Sequence, residues 1–109
     1  MPKYMIHFNQ QWVPDQTAEW FEGRGPLARA VVEEMAAAGI VVFAGGLIEE
    51  IDQAIGIDAA GNLTAQISSD EHFVGGLTIV SVDTDDEAHF WGKKIAIACG
   101  WPQEVRRFK

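Results

Sequence analysis

Cysteine is almost absent: Cys99 stands alone among 109 residues. A single thiol excludes an internal disulfide and a multi-thiolate zinc site. It closes the apolar run Ile95-Ala96-Ile97-Ala98-Cys99 with no activating group beside it, and is read as a buried, unreactive thiol. Basic residues are scarce too. Eight Lys and Arg face sixteen Asp and Glu, a formal net charge of −8. The only basic pairs, Lys93-Lys94 and Arg106-Arg107, are too short to form a phosphate-binding footprint, so no nucleic-acid partner is expected.

Long apolar runs are missing. No stretch approaches the ~18 apolar residues of a membrane span, so no membrane partner is expected. The opening Met1-Pro2-Lys3-Tyr4-Met5-Ile6-His7 has no secretory-type apolar core, which points to the cytoplasm. Signature motifs are missing as well. Gly23-Arg24-Gly25 follows no strand, Gly75-Gly76 precedes a strand rather than a helix, and no P-loop, G-x-S-x-G or CxxC occurs. With no HxH or HxxxH pair, no metal site is expected. No cofactor is expected either.

What is present suits one folded domain over residues 1–109: 48% apolar and 22% charged residues. Lys3–Phe8 alternates, with Tyr4, Ile6 and Phe8 on one face and Lys3, Met5 and His7 on the other, the pattern of a half-buried strand. A helix is expected from about Thr17, capped by Thr17 or Asp15. Gly23, Gly25 and Pro26 predict a break, with Pro26 opening a second helical segment. There Leu27, Val31, Met35 and Ala38 form an apolar stripe that Gly39 ends.

Ile40–Ala44 is apolar without alternation, which predicts a strand covered on both faces. Gln53–Asp58 and Leu63–Ile67 read as a hairpin around Ala59-Ala60-Gly61-Asn62. Leu77–Val82 is a β-branched strand. Asp83–Glu87 opens a helix that runs to about Ala98 and ends at Gly100, and Glu104–Phe108 is a last strand. The order β-α-β-β-β-α-β predicts an α+β, ferredoxin-like sandwich with both helices on one face of a mixed sheet. The other face would be covered by a second copy in a homodimer.

Four segments carry a resemblance: Tyr4-Met5-Ile6; Val32–Ile40 followed by Ala44-Gly45-Gly46-Leu47; Val74–Val80 followed by Asp83 and Asp86-Glu87-Ala88; and Glu104-Val105-Arg106. In this order and spacing the chain resembles the YCII-related domain family, in particular its DGPF-type branch. The resemblance implies a dimeric α/β barrel. The chain departs from the family in two places. The name-giving Asp-Gly-Pro-Phe stretch is replaced by a shorter loop containing Ser68–Phe73. The positions where the other branch carries a His–Asp pair fall near Ala28 and Ala37, neither of which titrates.

Candidate site residues follow from chemistry. His7 would face the space between sheet and partner. His72, beside Asp70 and Glu71, has a carboxylate nearby to orient its imidazole. His89, beside Phe90 and Trp91, reads as a surface residue. Trp12, Trp20 and Phe21 flank the entry to the first helix and could line a pocket for a small apolar or anionic ligand, with Arg24 as anchor. The same aromatics also suit core or interface packing. Two functions are therefore open. One is a small-molecule cleft, ligand-binding or enzymatic, with His7 and His72 in acid–base roles. The other is a non-catalytic dimerisation or regulatory module.

Overall fold

Alternation in the first strand is realised as expected. In the structure, a computed structural model describing residues 1–109, β1 (Lys3–Asn9) buries Tyr4 and Ile6 on one face and turns Met5 and His7 to the other. A 3-10 turn at Gln10–Trp12 follows, held by the Asn9 side chain accepting from the Gln11 N–H. Thr17 caps α1 (Ala18–Ala37), its hydroxyl accepting from the Trp20 N–H.

Helix α1 is continuous, and the expected break at Gly23–Pro26 does not occur. An interior proline removes one helical hydrogen bond and costs about 3 kcal/mol. Packing on both sides of Pro26 overrides that preference. Trp20 and Phe21 dock on Trp101 before it, while Val31 and Met35 enter the core after it. The helix ends where Gly39 takes a φ of 73°.

Five further strands and one helix complete the chain: β2 (Val41–Gly46), β3 (Gly56–Ile57), β4 (Leu63–Thr64), β5 (Val74–Ser81), α2 (Asp85–Cys99) and β6 (Glu104–Arg107). The main sheet has the order β2-β5-β1-β6, and every neighbouring pair is antiparallel, so the expected mixed sheet is corrected. The mixed character lies in the connections: β1 and β2 run parallel with β5 between them, as do β5 and β6 with β1 between them. With β3 and β4 set aside, the order β-α-β-β-α-β is of ferredoxin-like type. The β3–β4 hairpin is an insertion with its own small sheet. It is shorter than expected, and Gln53, expected to open its first strand, instead closes a 3-10 turn at Ile51–Gln53.

Both helices pack on one sheet face. Tyr4, Ile6, Val80 and Val82 meet Val31 and Met35 from α1 and Ala88, Ile95 and Ala98 from α2. Each large apolar side chain buried there contributes roughly 1.5–3 kcal/mol. The opposite face carries Met5, His7, Leu77 and Ile79, with Phe43 beside Ile79. Within one chain β2 is not covered on both sides: Val42 is 53% and Phe43 58% exposed. A bulge between Val41 and Phe43 shifts the register at this point.

Candidate functional site

Strand register places His7 opposite Leu77 on β5 and opposite Glu104 on β6, on the sheet face away from the helices. Its side chain is 13% exposed, yet neither ring nitrogen has a hydrogen-bond partner. Glu104 Oε1 lies 3.5 Å from Nε2, long for a hydrogen bond. Trp12 tilts toward the imidazole with ring centroids 6.4 Å apart.

The segment after β4 folds back against the end of β1. The Gln10 N–H donates to the Phe73 carbonyl at 2.8 Å, and the Gln11 side chain accepts from the Phe73 N–H and donates to the Asp70 carbonyl. This brings His72 beside Asn9, with His72 Nδ1 3.0 Å from Asn9 Nδ2. Asn9 Oδ1 is already committed to the Gln11 N–H, so the amide presents its NH₂ group to His72. Nδ1 of His72 must then accept, and the neutral ring carries its proton on Nε2.

His7, Trp12 and His72 thus share the wall of one cavity of about 320 Å³, with Asn9, Ser68, Phe73, Val74 and Glu104. Sequence reading missed Asn9 and Glu104. Asn9 sits two residues beyond His7, a spacing that puts both on one strand face. Glu104 had no such signal, because its position depends on which strand pairs with β1.

The remaining candidates lie elsewhere. Trp20 stacks near Phe21 and Trp101, on the helical side. Arg24 lies over the Trp20 ring at 4.8 Å and reaches the Ile97 carbonyl, at the end of α2. It lines a groove between the helices with Leu27 and Ile97, remote from the His7 cavity. Gly100 allows this packing: its φ is 91°, and a Cβ there would stand 2.8 Å from the Trp20 ring. The aromatics before and within early α1 therefore split into two groups, Trp12 at the cavity and Trp20–Phe21 in structural packing. Asp70 does not touch His72. Its carboxylate accepts from the Gln66 side chain, and Asn9 takes the orienting role expected of it.

Cys99 is half-buried, and burial pushes its thiol above the ordinary range although Arg24 opposes the shift. That agrees with an unreactive thiol. His89 lies on the exposed side of α2. No three His, Cys, Asp or Glu side chains converge closely enough to hold a metal ion. No helix is long and apolar enough to cross a membrane.

No family model and no curated protein matches this chain. The site's chemistry is therefore read from its geometry. One largely covered imidazole has two unpaired nitrogens, a second has a fixed tautomer and a free N–H, and a carboxylate lies close to the first. Such a set can take a proton at one point and donate a hydrogen bond at another.

Proposed function

We propose that the chain is a YCII-related-type domain that works as a homodimer, with a small-molecule acid–base site at the open sheet face around His7. The carrying observation is the His7 imidazole, largely covered and with both nitrogens buried and unbonded, in the wall of a 320 Å³ cavity. An unsatisfied buried polar group is costly, and one that lines a cavity is accounted for by a catalytic role or by a partner that enters the cavity. The order β-α-β-β-α-β and the uncovered apolar face support the dimeric α/β-barrel arrangement that the sequence resembles.

In this reading His7 is the general base. Glu104 shifts the short distance needed to accept from Nε2–H, and Nδ1 takes the proton from the substrate. The Nε2–H of His72 donates to oxygen on which negative charge develops. Trp12 supplies an apolar wall. The only charged residue at the cavity is Glu104, and Arg24 is elsewhere, so the ligand class becomes a small neutral molecule carrying a carbonyl group, not an anion.

Ala28 and Ala37 favour the non-catalytic reading as a second possibility. Near the positions where the other branch of the family carries a His–Asp pair, this chain has the methyl groups of Ala28 and Ala37.

The test is imidazole NMR with a panel of small neutral ketones, esters and amides. Binders that move the His7 and His72 ring signals, leave His89 still and lose affinity in His7→Gln support the site. A panel that moves none of the three, or moves them equally, refutes it. Light scattering on the same samples tests the dimer.

A further inference from the structure

The segment from Leu47 to Phe73 is tied to its own chain at its end, where Asp70–Phe73 meets the end of β1; from Leu47 to Ile67 it is poorly housed. Leu47, Ile48, Ile55, Ile57, Leu63 and Ile67 are each 55–74% exposed. The hairpin β3–β4 pairs only with itself and packs substantially on no other helix or strand. A lone two-stranded hairpin is marginal in water. The arm also extends the molecule: the radius of gyration is 15.3 Å, against ~13 Å for a compact domain of this length.

Charge is segregated as well. The arm contains Glu49, Glu50, Asp52, Asp58, Asp70 and Glu71 but no Lys or Arg. At the far corner of the sheet, Lys3, Arg106, Arg107 and Lys109 supply four of the eight basic residues. None of those four is in an ion pair within the chain; the two close pairs are His7–Glu104 and Lys94–Glu34. Arg106, Arg107 and Lys109 line a groove of about 230 Å³ floored by Met5 and Phe108. An acidic apolar arm and a basic groove with an apolar floor are complementary.

We propose that the arm of one chain docks into the Met5–Arg106–Phe108 groove of a second copy. This rests on the homodimer reading above and specifies its contacts. The register supports it. The arm leaves the sheet at Gly46 and rejoins it at Val74, at the β2–β5 corner, whereas the groove lies at the Lys3 end of β1 and β6. These corners are diagonally opposite. A two-fold axis parallel to the sheet and above its open face, along the other diagonal, stacks the open faces and brings each arm over its partner's groove. The area is sufficient. At roughly 150–200 Å² for a large apolar side chain, the arm's six with Val42 and Phe43 expose on the order of 900 Å² per chain, comparable to the ~800 Å² per partner of a standard interface.

Charge reversal tests this by sedimentation velocity. Glu49→Lys/Glu50→Lys and Arg106→Glu/Arg107→Glu, made separately, should each raise the dimer dissociation constant roughly 10–100-fold. Combined in one chain they should restore it to within about threefold, because each reversed arm then meets a reversed groove. Carbodiimide cross-linking of mixed isotope-labelled and unlabelled wild type gives a measurement independent of variant folding. It should join arm carboxylates to Lys109 or Lys3 between chains. Unchanged dimer constants in both single reversals, no recovery in the combination, or cross-links only within chains would overturn arm docking while a wild-type dimer keeps the homodimer reading. A wild-type monomer at about 100 µM would overturn both.

Discussion

Replacing His7 by leucine should stabilise the protein. The imidazole is 13% exposed, and both its nitrogens are buried without partners. An unsatisfied buried polar group costs about 1–3 kcal/mol, and an apolar side chain of similar size removes that cost. Its surroundings suit leucine: Leu77 lies directly across on β5, and the Trp12 ring lies alongside. Allowing for the different shape, His7→Leu should gain about 1–2 kcal/mol, which for a domain of this length raises Tm by roughly 5–15 °C. Thermal unfolding by circular dichroism at pH 8, at one fixed protein concentration, measures it. Glu104→Gln is the control and should change Tm little, because the contact it loses is only a long one. A fall in Tm for His7→Leu would refute the reasoning. It would mean that the imidazole is held by hydrogen bonds in solution and serves the fold. A rise, with loss of ligand-induced signals, marks a residue kept for function at the expense of stability.

Other outcomes follow from the core and from two titrating groups. Met35 is fully buried between α1 and the sheet, so Met35→Ala should cost about 2–5 kcal/mol in denaturant unfolding with an unchanged slope. Tyr4, the only tyrosine, donates to Asp85 Oδ1 at 2.5 Å, and that hydrogen bond, followed by burial, raises its pKa above the ordinary 10. Its contribution to stability is thus complete below pH 10 and lost as pH rises through the folded value. Absorbance at 295 nm should show a single midpoint above 10 that falls in Asp85→Asn. Asp58 holds the hairpin turn by accepting from the Asn62 and Ala60 N–H groups, and these bonds, that of Asn62 foremost, lower its pKa. That contribution is present above about pH 4 and disappears as pH falls. Asp58→Ala should speed amide exchange at residues 56–64 at pH 7 and leave β1 and β5 protected.

Local signals placed most elements. Alternation found β1 and its two faces, Thr17 and Gly39 bounded α1, and the acidic Asp83–Glu87 stretch marked the entrance to α2, capped by Thr84. Failures arose where a distant contact outweighed local preference. Pro26 predicted a break, but docking of Trp20 on Trp101 and of Met35 in the core holds one helix across it. Asp70 is a sequence neighbour of His72, yet the loop turns its carboxylate to Gln66 and leaves His72 to Asn9, sixty-three residues away in sequence. Trp20 and Arg24 lie close to Trp12 in sequence, which suggests one pocket. The chain turns between them, and the two sets lie on different parts of the molecule.

By itself the sequence determined the class of molecule: an acidic α+β chain with a two-faced first strand, because period and capping are local and survive without knowledge of partners. Only the tertiary structure decided which polar groups meet. Pairing β1 with both β5 and β6 set Glu104 near His7, and the fold-back of the loop ending at Phe73 set His72 beside Asn9. Those juxtapositions follow from register and topology, which depend on the packing of the whole chain and are written in no single segment.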